Sequence, residues 1–108
     1  MSIPDTQISY ILDQLEPAGG VSHKRMFGGV GFFKEGKMFG MLNSKGTLLL
    51  KVDESNIQDY QDRGMSPFSH KNTTAKMPYY EVPLDIIENR QQLKQWANKS
   101  YDIALTSK

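Results

Sequence analysis

Cysteine is missing from the chain altogether. Its absence removes disulfides, thiolate nucleophiles, cysteine-ligated zinc and iron–sulfur clusters in one step, and it accords with a reducing compartment. Histidine is scarce, with two copies, His23 and His70. His23 runs directly into Lys24 and Arg25, which disfavours a bound cation, and His70 lies in a polar stretch with no neighbouring carboxylate. No apolar run approaches the roughly 18 residues of a membrane span, and no basic segment followed by an apolar core opens the chain. These features predict a cytoplasmic protein without a membrane partner. An excess of charge is lacking too: 13 basic against 12 acidic residues leave a net +1. Both signs are interleaved along the chain, so no domain-wide field draws it to nucleic acid.

At 108 residues, 38% of them hydrophobic and 23% charged, the composition is that of one globular domain, 1–108, with a single modest core. Residues 4–16 read as an amphipathic helix, with Ile8, Ile11, Leu12 and Leu15 on one face and Pro17 and Gly19-Gly20 as the stop. From about Lys24 to Val52 the pattern turns strand-like. Glu35-Gly36 and Ser44-Lys45-Gly46 are its turns, which predicts three antiparallel strands in a meander.

Period-two alternation puts Val30 and Phe32 on one face of the first of these strands and Gly31 and Phe33 on the other. In the second it sets Met38 and Leu42 against Phe39 and Met41. Apolar groups on both faces predict that helices cover one side while the other meets a further shield or an interface, which is a dimer signal.

Asp53 to Arg63 reads as a second helix, with Asp53 as N-cap and Gly64 just past its end. Residues 66–70 and 76–82 read as two more strands around a polar loop. Pro78 places the last strand at a sheet edge or limits it to the residues after the proline. Pro83 to Ile87 reads as a turn or a short helical piece. Asn89, with Gln92 three residues on, starts a final helix whose face is Leu93, Trp96, Ala97, Ser100 and Ala104. The order α-β(3)-α-β(2)-α is a two-layer α+β fold, an antiparallel sheet packed against helices.

Candidate chemistry is sparse. Gly28-Gly29-Val30-Gly31 leads into a strand rather than a helix and lacks the lysine and hydroxyl of a phosphate loop, so it reads as a bend or bulge. No serine sits in a nucleophile elbow, and the paired carboxylates Asp59 and Asp62 read as a solvated helix face. The reading is therefore noncatalytic, with no cofactor and no metal. Small-ligand or enzymatic chemistry through His23 or His70 is the minor alternative.

Direct nucleic-acid binding through Lys24, Arg25, Lys34, Lys37, Lys71 and Lys76 is the other alternative. Phe27, Phe32, Phe33 and Phe39 beside Lys34 and Lys37 suggest a stacking platform, but the element order is not that of an RNA-recognition sheet. Arg25, Phe27, Phe39 and Tyr79 are the candidate contacts to a protein partner, aromatic and arginine side chains being common anchors at interfaces.

Arg25-Met26-Phe27-Gly28-Gly29, Met38-Phe39, Leu50-Lys51-Val52-Asp53 and Met77-x-Tyr79-Tyr80-x-Val82-Pro83 together give the chain a family likeness. It resembles the N-terminal domain of the TfoX/Sxy regulators of bacterial competence, over nearly its whole length. The resemblance implies an α-β(3)-α-β(2)-α fold of the secretion-chaperone-like kind. It implies a transcription coactivator role beside the cyclic-AMP receptor protein, no catalytic residues and no cofactor. The best-known regulators of this kind carry a second, helical domain, whereas this sequence ends at Lys108. The resemblance therefore implies either a single-domain relative or a piece of a two-domain regulator.

Overall fold

The structure is a computed structural model that describes residues 3–26, 28–65, 67–69 and 76–106, with residues 67–69 and 76–78 described by their backbone. Helix α1 (Asp5–Leu15) runs through a single 3-10 turn at Glu16–Ala18 into strand β1 (Val21–Met26). Strands β2 (Gly29–Lys34), β3 (Lys37–Leu42) and β4 (Leu48–Lys51) follow, then α2 (Ile57–Gln61), β5 (Pro67–Ser69), β6 (Lys76–Glu81), α3 (Leu84–Ile87) and α4 (Arg90–Thr106). The strands form one antiparallel sheet in the order β1-β2-β3-β4-β6-β5. The α+β class and the helix–sheet layering are as expected from the sequence.

The meander holds one strand more than the sequence predicted. Met26 pairs with Gly29, so two residues separate β1 from β2, and Gly28 stands at a φ of 78° that only a residue without a Cβ adopts freely. The glycine run is therefore a tight reversal, and what read as one strand is two. The next reversal is as predicted: Glu35 and Gly36 have φ of 50° and 81°, the paired positive angles of a two-residue hairpin. At the third, the Asn43 carboxamide accepts the N–H of Lys45 at 2.9 Å and of Thr47 at 3.0 Å.

Strand β3 carries an irregularity invisible to period-two alternation. Phe32 faces Gly40 while its neighbour Phe33 faces Met38, so Phe39 is an extra residue on β3, a β-bulge. The bulge shifts the faces downstream of it. Phe39 and Leu42 lie together in the core, at 1% and 0% exposure, and Met38 and Met41 share the opposite side. The predicted grouping of Met38 with Leu42 is thus corrected, and the extra residue is the reason.

The core fills the space between one sheet face and the helices. Val30, Phe32, Leu42, Leu48, Leu50 and Tyr80 of the sheet, with Val82 just past β6, meet Ile8, Ile11 and Leu15 of α1, Tyr60 of α2, Ile86 and Ile87 of α3, and Leu93 and Ala97 of α4. Each fully buried aliphatic side chain contributes about 1.5–3 kcal/mol by leaving water. The Tyr60 ring sits 4.6 Å from that of Trp96, edge-on, and 5.7 Å from that of Tyr80, joining α2, α4 and β6. Polar ties fix the layers in register: Gln14 Nε2 donates to the Ile87 carbonyl and the Ser100 hydroxyl to the Lys51 carbonyl, both at 2.8 Å.

Helix α4 starts as predicted, the Asn89 carboxamide accepting the Gln92 N–H at 3.1 Å. Helix α2 is shorter than predicted. Asp53 uses its carboxylate on the Ser55 N–H at 2.8 Å and on the Ser55 hydroxyl, closing a turn rather than capping a helix, and these donors hold its carboxyl below the usual carboxylate range. Neither expectation for Pro78 holds, because β6 runs from Lys76 through the proline to Glu81 and lies between β4 and β5. Its pairing with β4 begins at Tyr79, after the proline.

Candidate functional site

The helices all lie against one face of the sheet, and the other face carries a patch built by β1, β2 and β3. Gly31 is its centre. A Cβ placed on Gly31 would lie 3.0 Å from Met26 Cε and Met38 Sδ and 3.1 Å from Phe33 Cε1, so three apolar side chains close over the bare backbone. Met41, the register partner of Gly31, extends the patch on the same face. Met26, Phe33, Met38 and Met41 are each only partly buried.

Further along the sheet the same face closes. Leu49 is 1% and Tyr79 5% exposed, and the Lys51 ammonium sits 5.3 Å from the centre of the Tyr79 ring. Burial pushes the Tyr79 hydroxyl up from the usual tyrosine value. The open part is therefore confined to the β1–β3 half, and it is rich in methionine, whose flexible thioether adapts to differently shaped partners.

The two edges of the sheet differ. Strand β5 is three residues long, begins with Pro67 and breaks register against β6. Strand β1 is six residues long and pairs with β2 without a shift. Ser22, His23, Lys24 and Arg25 are exposed in a row along it. By register Lys24 and Met26 lie on the open face, whereas His23 and Arg25 lie on the helix side, where Arg25 pairs with the exposed carboxylate of Asp5 on α1.

The predicted site residues are distributed unevenly over this arrangement. Arg25 is at the exposed edge, and Tyr79 is on the face that carries the patch but nearly covered. Phe39 belongs to the core beside Phe32, so neither offers itself to a partner or to a stacked base. Phe27, Lys71 and His70 lie outside the described residues, as does the side chain of Lys76.

The remaining basic residues do not gather into one strip. The Lys34 ammonium donates to the Ala18 carbonyl at 2.9 Å and stands 4.9 Å over the Tyr101 ring, which pins it to the helix layer. Lys37 is exposed across the hairpin from Lys34. Lys24 alone among them borders the apolar patch. Met26, Met38 and Met41 are the residues of the open apolar patch that sequence reasoning missed. Their signal was there as apolar residues on a second face, but the bulge that brings Met38 and Met41 together was not.

A shallow cavity of about 160 Å³ lies elsewhere, between α2 and α4, lined by Asn56, Asp59, Tyr60, Gln95, Trp96 and Lys99. The Tyr60 hydroxyl is buried without a well-formed hydrogen bond, and burial pushes its pKa well up although the Ser100 hydroxyl nearby tempers the rise. Asn56 is committed to the backbone, accepting the Asp53 N–H and donating to the Lys51 carbonyl. Among the described residues no three of His, Asp and Glu converge as a metal site would require, and no helix is long and apolar enough to cross a membrane.

Comparison with curated proteins returns no match. The family model of the TfoX N-terminal domain matches residues 13–104, from the last turn of α1 through all the strands to the last turn of α4. The match takes in the patch, the cationic edge and nearly the whole core, and the chain belongs to the TfoX N-terminal domain family.

Proposed function

We propose that this domain is a noncatalytic regulatory module that works by holding a protein partner on the open face of its sheet, and that its setting is transcription. One observation carries the reading: Met26, Phe33, Met38 and Met41 form an apolar patch on the side of the sheet opposite every helix. Apolar surface of this kind is kept on a small soluble domain where an interaction uses it. Membership of the TfoX N-terminal domain family supports a regulatory role, with the cyclic-AMP receptor protein as the candidate partner and a coactivator as the form the role takes.

The test is fluorescence anisotropy of a labelled competence-type promoter titrated with the receptor protein, with and without this chain and with a control of chain and DNA alone. The expected result is tighter receptor binding in the presence of the chain, no binding by the chain alone, and loss of the effect in Met41→Asp. An unchanged receptor isotherm would sink the coactivator reading, and full activity in the Met41→Asp chain would sink the open face as the partner surface. Sedimentation of the chain alone separates a homodimer closed over the same face from a monomer that keeps it for another protein.

A further inference from the structure

We infer that the edge strand β1 takes up an extended acidic segment of the partner, adding it to the sheet as a further strand. The inference rests on the open face being the partner surface and names the chemistry at its border. Strand β1 has the properties that strand addition needs. It is terminal in the sheet, six residues long, regular against β2, and exposed from Ser22 to Arg25, so its outward backbone N–H and C=O groups have no strand to pair with among the described residues.

Natural edges are protected from such pairing by shortness, proline or irregularity, and β5 has all three. Strand β1 has none of them, only charge. Charge of one sign is a selective protection. A second copy of β1 paired antiparallel about Lys24, with the open faces kept on one side, would set Lys24 against Lys24 and Arg25 against His23. That arrangement is repulsive. An acidic strand meets the opposite situation. Between Val21 and Met26 there is no acid, and the one carboxylate reaching the strand, Asp5, is already paired with Arg25 on the helix side. Lys24, on the open-face side, has no ion-pair partner among the described residues.

The pattern along β1 specifies the segment that fits it. Half-buried Val21 and Met26 end the strand and polar or cationic side chains fill its middle. The complementary six-residue segment has acidic residues opposite His23, Lys24 and Arg25 and apolar residues at its two ends. The residue beside Met26 then continues the patch of Phe33 and Met38. Nucleic acid is disfavoured for this edge because a phosphate backbone offers no row of alternating N–H and C=O groups to the outward side of β1, and Lys34, tied to the Ala18 carbonyl, adds no cation beside it.

The experiment is an amide NMR titration of the whole chain with the capped hexapeptide Val-Glu-Glu-Glu-Thr-Val at up to millimolar concentration, followed by amide hydrogen exchange. The expected result is shift changes centred on Val21–Met26, slowed exchange of the outward amides of that strand, and affinity about tenfold lower in Lys24→Glu. A backbone N-methylated version of the peptide, and one with lysine in place of glutamate, are expected not to bind. No shift changes, equal binding of the N-methylated peptide, equal binding of the lysine peptide, or displacement by a single-stranded DNA oligomer of equal charge would each overturn the inference. If Met41→Asp abolishes the receptor effect while Lys24→Glu leaves it intact, the partner surface stands and the edge inference alone falls.

Discussion

The two faces of the sheet are made from the same short stretches of chain, yet they obey different rules. On the helix side Phe32, Leu42 and Leu50 are fully buried and their places are set by close packing against α1, α3 and α4. On the open side Phe33, Met38 and Met41 stay half-buried, resting on the bare backbone of Gly31 and on one another. Neighbours in sequence thus carry different burdens: Phe32 holds the fold, and Phe33 is available to something outside it. Stability and the apolar open face can therefore be altered separately in this domain.

The sharpest way to test that separation is to truncate the two adjacent phenylalanines. Phe32→Ala is expected to cost about 3–5 kcal/mol in urea denaturation, because it opens a cavity that the helices cannot close. Phe33→Ala is expected to cost about 1 kcal/mol, in the range of ordinary surface-facing changes. Equal losses would show that the open face is as tightly packed as the core and would break the comparison.

A smaller effect comes from the tyrosines on the two sides. Burial raises the pKa of Tyr60 in the core and of Tyr79 on the other face above the usual 10.0, so the folded chain holds these protons more tightly than the unfolded one. Stability is then fully present below pH 10.0 and falls as the pH climbs above it, since the unfolded state releases its protons first. Denaturation midpoints measured from pH 7 to 11 should show this decline, less steep in Tyr60→Phe and only slightly less steep in Tyr79→Phe. At neutral pH Tyr60→Phe is expected to change stability by less than about 1 kcal/mol, with no sign of a lost hydrogen bond, because the hydroxyl has no well-formed one to lose. The least consequential change is Asp5→Asn. Its ion pair with Arg25 is exposed, so the thermal midpoint should not move.

Much of the architecture was legible because it follows from local rules. Ile8, Ile11 and Leu15 recur at helical spacing and lie in the core, Asn89 caps α4, and Glu35-Gly36 makes the hairpin turn that its residues demand. The additional strand was hidden because a reversal at Gly28 and a bend through it are the same string of letters, and only the pairing of Met26 with Gly29 separates them. The placement of the candidate site residues was only partly legible. Arg25 stands at an exposed edge position, whereas Phe39, which strand alternation does not place in the core, lies there because the bulge turns it inward.

The sequence by itself determined the kind of chain: an α+β fold without cysteine, with helix and strand periods, caps and hairpin turns, and the motifs of its family. These depend on residues close along the chain, whose influence is expressed wherever the segment lies. Only the tertiary structure decided that β1 is the open edge, that Met38 joins Met41 across a bulge, and that Lys34 is anchored while Lys24 is free of ion pairs among the described residues. Each of these is a matter of which strand lies beside which and in what register. A one-residue slip sends a side chain to the opposite face, and the energy that fixes the register comes from packing the whole core at once.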